Sequence, residues 1–439
     1  MSELQLGAVV CVVTVAILLT GAPVAFSLGA VAILFLLIYD GLGTLAIIPN
    51  IFYGGLDDFA LLSIPMFILM GAAIASSRAG ADLYEALDRW LYRVPGGLMI
   101  SNIGACAIFA ALSGSSPATC AAIGKMGIPE MRKRGYSSAV ATGSIAAGGT
   151  LGILIPPSIT MIVYGIATET SIGRLFMAGL LPGLMLTLLF IAWGLISSWR
   201  SGFKFREGLA QHFTLAERLA ILPKVAPFLA IIAGILWVLY GGVATPSEAA
   251  GVGALFCILL VVLIYRMTDF KALWAVVRAA MRESVMIMMI IAAAALFSYM
   301  MSSLYITQSL AIWVADLEVN RWLLMFYINV FLLIAGFFLP PVAVILMTAP
   351  TLLPVVEAVG FDPIWFAVVL TINMEIGLIT PPVGLNLYVI NGIAPDVRLQ
   401  TILWGALPYM LCMVLGIVLL CIFPEIALWL PNAMMGQAF

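Results

Sequence analysis

The sequence predicts an all-α polytopic membrane protein built from two inverted-topology repeats, each with a re-entrant helical hairpin and a broken transmembrane helix. Three observations carry this reading. Of 439 residues, 64% are hydrophobic and 9% charged, which fits no soluble globular class. A constant shift of 225 positions lays one stretch on a weak copy of itself: Ala118 falls on Ala343, Pro129 on Pro354, Gly135 on Gly360, Gly152 on Gly377, and Pro156–Pro157 on Pro381–Pro382. Such a fixed offset marks an internal duplication. Between these markers the first copy carries Arg132-Lys133-Arg134, whereas the second carries Glu357 and then Asp362. Basic loops stay cytoplasmic and acidic ones are indifferent, so the copies face opposite sides.

Roughly twenty apolar residues span a bilayer, and such runs follow one another along the chain. Residues 1–199 form the first repeat, with spans at 4–20, 23–39 and 58–77, an arm at 79–93, a hairpin at 97–127, a broken span at 137–168 and a span at 173–199. A polar linker at 200–219, expected in the cytoplasm, leads to the second repeat, 220–439. Its spans are 221–240, 244–265 and 273–301, then an arm at 304–318, a hairpin at 321–352, a broken span at 363–392 and a span at 399–423. Residues 4–20 read as a retained span, because Glu3 stands where a secretory leader carries positive charge. Pro23 and Pro246 open equivalent spans. In the first arm Leu83, Leu87, Trp90 and Leu91 share one face with charges opposite, so it should lie along the interface.

The runs Leu98–Lys125 and Leu323–Pro350 are each long enough to cross once, yet are punctured at Gly114–Pro117 and at Pro340–Pro341. A kinked crossing helix and a hairpin that returns to its own side both fit the pattern. Charge decides between them. With both runs re-entrant, the loops at 78–97, 128–136, 200–220, 266–282 and 393–398 share one side, which holds all 19 Lys and Arg except Lys125, Arg174 and Arg321. Asp40, Asp57, Asp58, Glu169, Asp316, Glu318, Glu357 and Asp362 fall on the other side, with both termini. One fully crossing hairpin would invert every later loop and spoil this partition.

A proline lacks its N–H, so the carbonyl four residues earlier loses a partner. Pro156 and Pro157 are expected to free the carbonyls of Gly152 and Ile153, and Pro381 and Pro382 those of Gly377 and Leu378. Small hard cations take oxygen ligands, and Ser113, Ser115, Ser116 and Thr119, then Thr348 and Thr380, add hydroxyls beside the breaks. Half-helix N-termini past each break suit a carboxylate. Asn373 and Asn386 flank the second break and can line a substrate cavity. Glu375 sits mid-span and could carry a proton or hydrogen-bond a backbone break. Glu248 reads as a first-turn acid of its helix.

Enzyme chemistry finds little support. His212, the sole histidine, lies in the linker without triad or zinc partners. G-S-S-P is not a nucleophile elbow and no phosphate-binding G-x-x-x-x-G-K-[ST] occurs. Cys11, Cys106, Cys120, Cys257, Cys412 and Cys421 lie in apolar runs and read as packing residues. With a net charge of −2 and no basic stripe to hold phosphates, nucleic acid is not an expected partner.

The motifs A-L-S-G-S-S-P-A-T (111–119), G-I-P-E-M-R-K-R-G-Y (127–136), L-G-I-L-I-P-P-S (151–158), L-F-M-A-G-L-L-P-G (175–183) and I-G-L-I-T-P-P-V-G-L-N (376–386) resemble the large membrane subunit of tripartite ATP-independent periplasmic (TRAP) transporters, the DctM-like family. The resemblance spans essentially the whole chain. It implies an elevator-type carrier of the bacterial inner membrane, driven by a sodium gradient and supplied by a periplasmic substrate-binding protein. It also implies a small four-helix membrane subunit as partner, fused to this one in some relatives, and organic acids such as dicarboxylates or sialic acid as substrates. By matching motifs, Na+ would occupy two sites. Ser113, Gly114 and Ser116 with Gly149, Gly152 and Pro156 form the first, and Pro341 and Thr348 with Gly377 and Thr380 the second. Substrate is expected near Ser115, Ser116, Thr119, Asn373 and Asn386. The alternative is a proton-coupled carrier, or an ion-translocating subunit of a larger complex, working through Glu375.

Overall fold

The computed structural model describes residues 2–94, 96–200, 213–316 and 319–436. Helices account for nearly all of them, and no strand occurs among the described residues. The first half contains α1 (Glu3–Leu19), α2 (Val24–Tyr39), α3 (Ile48–Leu56), α4 (Ser63–Ser76), α5 (Ala79–Leu91), α6 (Gly97–Ser113), α7 (Ser116–Lys133), α8 (Ser138–Thr150), α9 (Ile159–Ala167) and α10 (Ile172–Arg200). The second contains α11 (Leu215–Tyr240), α12 (Pro246–Leu259), α13 (Phe270–Ser303), α14 (Ile306–Asp316), α15 (Arg321–Phe338), α16 (Pro341–Ala358), α17 (Pro363–Leu378), α18 (Leu385–Ile393), α19 (Leu399–Ile422) and α20 (Glu425–Met435). Eight helical segments among the described residues are long and apolar enough to cross a membrane.

Elements recur at the offset read from the sequence. Shifting α7 by 225 gives the bounds of α16, and α8 then starts where α17 starts. The cis Pro156–Pro157 bond corresponds to the cis Pro381–Pro382 bond. Packing is reciprocal as well: α7 lies on α18 and α9 on α16, while α8 lies on α19 and α17 on α10. Thr150 and Glu375 are equivalent positions at this offset, and both are buried.

Both punctured runs turn back. Gly114 adopts a left-handed φ of 57° and ends α6, a conformation glycine takes without a Cβ penalty. Arg134, just past α7, pairs with Asp88 on α5 at 2.6 Å, so the end of the hairpin returns to the arm that precedes it. In the second hairpin Trp322 at the entrance packs on Phe361 at the exit, ring centroids 5.1 Å apart. Loop contacts fall into two sets. Arg132 pairs with Asp396 at 2.6 Å, Arg89 donates to the Glu217 carbonyl, and Tyr265 to that of Lys224. On the other side Ser303 meets Asp40, Ser247 meets the Phe59 carbonyl, and Arg174 meets that of Met435. The Arg132 guanidinium hydrogen-bonded to Asp396 holds its carboxyl below the usual carboxylate range.

Several sequence expectations are revised. The hairpins run on to Lys133 and Ala358 rather than stopping at 127 and 352. The stretch 42–56, assigned no element, forms a short 3-10 turn and α3, and α20 follows the expected final span. The expected linker 200–219 is shorter at its far end, because Thr214 and Glu217 form a capping box that starts α11 at Leu215. Its residues 201–212, with His212, lie outside the described residues, as does Glu318 of the second arm. Glu248 closes a capping box with Thr245, as its first-turn position predicts.

Single cysteines replacing Lys133 and Glu357, both exposed, should label from opposite faces of the membrane with an impermeant thiol reagent once the native cysteines are replaced. Labelling from one face would refute the inverted arrangement.

Candidate functional site

The first hairpin tip is seated on the first break. A Cβ added at Gly152 would stand 2.7 Å from the Ser115 carbonyl oxygen and 3.0 Å from the Ser116 nitrogen. One added at Gly149 would stand 3.1 Å from the Ser116 carbonyl, and one at Gly114 the same distance from that of Pro157. The glycines are therefore needed for backbone to approach backbone. Around this contact the Ser113 and Thr119 hydroxyls lie 2.6 Å apart, Thr119 also donates to the Ser115 carbonyl at 3.0 Å, and Ser116 Oγ donates to the Thr150 carbonyl at 3.3 Å. Pro156, Pro157 and Ser158 are buried. The structure thus brings together Ser113, Gly114, Ser115, Ser116 and Thr119 with Gly149, Gly152 and Pro156. This is a closed cluster of hydroxyl and carbonyl oxygens beside the N-terminus of α7, with the oxygen donor set that a small hard cation requires.

The carbonyls are less free than proline chemistry alone predicts. Ser158 Oγ donates to the Ile153 carbonyl while also capping α9. At the second break the Gly377 carbonyl accepts the Thr380 N–H at 3.4 Å. Buried backbone groups find partners wherever a neighbour can supply one.

The second expected set is not gathered in the same way. Thr348 Oγ1 donates to the Val344 carbonyl within its own helix, and Thr380 Oγ1, just past the end of α17, donates back to the Ile376 carbonyl. Gly377 packs on Gly336 of α15, where an added Cβ would stand 2.5 Å from a carbonyl oxygen, below the hairpin tip at Pro340–Pro341. Pro381, Pro382 and Val383 are exposed, whereas their first-repeat counterparts are buried. The two halves therefore differ: the first break is covered and the second is open.

Asn373 and Asn386 lie apart. Asn373 Nδ2 donates to the side-chain and main-chain oxygens of Asn329 on α15, at 2.8 and 2.9 Å. Asn386 Nδ2 donates to the Ala146 carbonyl on α8 at 3.3 Å. The Oδ1 of each is buried with no hydrogen-bond partner among the described residues. Asn329 was not foreseen from sequence; an amide in the middle of the apolar run 322–338 is the signal that could have found it. Glu375 is fully buried. Thr150 is near it, yet neither carboxyl oxygen completes a hydrogen bond, and the Thr150 hydroxyl donates to the Ala147 carbonyl at 2.6 Å. No group of three or more His, Cys, Asp or Glu able to hold a metal occurs among the described residues.

Residues 11–426 match the family described as "Tripartite ATP-independent periplasmic transporter, DctM component". The chain belongs to the DctM family of TRAP transporters. It is 38% identical to the C4-dicarboxylate TRAP transporter large permease protein DctM of Pseudomonas aeruginosa, over 86% of this chain and 87% of that one. To its namesake from Rhodobacter capsulatus it is 34% identical, over 95% and 97%. Among solved structures, the YdaH transporter of Alcanivorax borkumensis superposes with a TM-score of 0.64 at 16% identity, covering 92% of this chain and 91% of that one. That likeness concerns the fold. Further DctM relatives are named for isethionate in Oleidesulfovibrio alaskensis, sialic acid in Vibrio cholerae and ectoine in Halomonas elongata, at 32%, 30% and 31% identity. The chain is a large permease subunit, a multi-pass protein of the bacterial inner membrane.

Two substitutions probe the seated tip. Ser116→Ala removes the hydroxyl on the Thr150 carbonyl, and a lost hydrogen bond costs about 0.5–1.5 kcal/mol. Half-maximal uptake should then need about two- to tenfold more cation or substrate, with normal expression. Gly152→Ala should do more. The added methyl would press on the Ser115–Ser116 peptide of the hairpin tip, overpacking costs about 1–3 kcal/mol, and uptake should fall by about tenfold or more in protein that still reaches the membrane. Wild-type uptake in both would show the tip to be only a tight turn.

Proposed function

We propose that this subunit carries an organic acid across the inner membrane with sodium, by an elevator motion of the hairpins and broken helices against the remaining spans. The observation that carries the reading is the oxygen-lined contact between the first hairpin tip and the Gly149–Pro157 break. A monovalent hard cation suits uncharged oxygens, and the N-terminus of α7 beside them favours a carboxylate. Cation and acid would then neutralise each other in a site with no protein countercharge. The open second break supplies a way in for substrate. Relatives named for dicarboxylates and sialic acid support an acidic substrate.

Two protein partners follow from the family: a periplasmic substrate-binding protein and a small four-helix membrane subunit. The DctMQ name of the Oleidesulfovibrio alaskensis relative, of whose length this chain covers 64%, fits a permease in which a second subunit is fused.

Uptake into liposomes holding both membrane subunits and supplied with the binding protein tests the coupling. Replacing external sodium by potassium at fixed membrane potential should abolish uptake of the matching acid. Uptake that ignores sodium and instead follows a pH gradient would overturn the sodium reading and give Glu375 the coupling role.

A further inference from the structure

We infer that the N-terminal overhang of α13 is a binding surface for anionic phospholipid headgroups. At 34 residues α13 measures about 51 Å, about 20 Å more than a bilayer's hydrocarbon core. The surplus lies at its start. Ser303 Oγ donates to Asp40 at 3.0 Å, so the C-terminal end of α13 is level with the end of α2. The two helices pack, and α2 has only 16 residues. Counting back from Ser303, α2 runs out near Ile287. No residue of Phe270–Arg278 or Ala279 is buried, and the buried face begins at Ala280.

The uncovered stretch is patterned. Lys271, Arg278 and Arg282 fall within about 20° of one line along the helix, at 100° per residue, and all three are exposed. None of them enters an ion pair among the described residues. Ala280, Ser284 and Ile287 occupy the opposite, packed side. Phe270, Trp274, Met281 and Val285 form an exposed apolar strip beside the basic line. Of the nearby acids, Asp269 accepts the Lys271 N–H as the helix cap, and Glu283 lies about a third of a turn away. Water alone suits the basic line but not the adjoining apolar strip. A membrane surface suits both, with aromatic and aliphatic groups entering the acyl boundary while the long basic chains reach phosphate. Charge complementarity selects anionic lipid over zwitterionic.

Each basic residue near an anionic surface is worth about fivefold in affinity, so three set a ceiling of about a hundredfold. The test is native mass spectrometry of the two-subunit permease, extracted from membranes containing phosphatidylglycerol and phosphatidylethanolamine. Wild-type protein should retain phosphatidylglycerol preferentially. The triple variant Lys271→Gln, Arg278→Gln, Arg282→Gln should lose that preference at least tenfold, while Lys133→Gln leaves it unchanged. An unaltered lipid profile in the triple variant overturns the inference. So does loss of the small subunit with lipid retention intact, which would make the stripe a protein interface. Should the triple variant not fold, brominated lipids decide on wild-type protein. The part of the fluorescence that Trp274→Phe removes should be quenched more by brominated phosphatidylglycerol than by brominated phosphatidylcholine. Equal quenching overturns the inference.

Discussion

In hydrocarbon every backbone N–H and C=O must be satisfied from within the protein, because no water is there to do it. This constraint organises the molecule. Helices meet it along their length, so it bears hardest where a helix is broken. At the first break Ser158 takes the Ile153 carbonyl and Ser116 the Thr150 carbonyl, while glycines admit the hairpin backbone. The features that make the interruption tolerable inside a membrane are the ones that collect oxygen atoms there. Stability of the break and suitability for a cation arise from the same arrangement.

Duplication gives each half the parts for such a site, and the structure assembles them unequally. Gly104 and Gly148 in the first repeat correspond to Asn329 and Asn373 in the second. The asparagine pair binds α15 to α17 by two hydrogen bonds, and Gly336 on Gly377 closes the same contact further along. The first arm of the second hairpin is therefore fastened, while the 381–383 turn opposite its tip remains exposed. The two breaks, equivalent in sequence, are therefore unlike in burial.

Ion pairs serve a different purpose, confined to the membrane's edge. Arg134 with Asp88 and Arg132 with Asp396 tie the end of the first hairpin to the arm and to the loop before α19. The second pair is largely solvent-exposed and contributes little to stability on its own. Its geometric effect is to connect residues 264 positions apart. Inside the core Glu375 is fully buried and enters no ion pair among the described residues.

The sequence by itself carried the membrane class and the 225-residue recurrence of elements, and it set the expected partition of the loops. Each rests on a property that survives without coordinates: hydropathy over a fixed span length, a constant offset between markers, and the placement of Lys and Arg. It also singled out Ser113–Thr119 and Gly149–Pro157, continuous motifs whose composition declares an unusual backbone and which the structure packs together. Tertiary structure alone decided which carbonyls stay free, since Ser158 and the Thr380 N–H reach theirs through local folding that proline chemistry does not specify. It also decided that the Thr348 and Thr380 hydroxyls bond carbonyls four residues back along the chain, that Asn373 meets Asn329, and that residues 381–383 are exposed. These outcomes depend on how far apart two packed elements stand. A hydrogen bond is made or lost within about an ångström, a distance no local pattern of residues encodes.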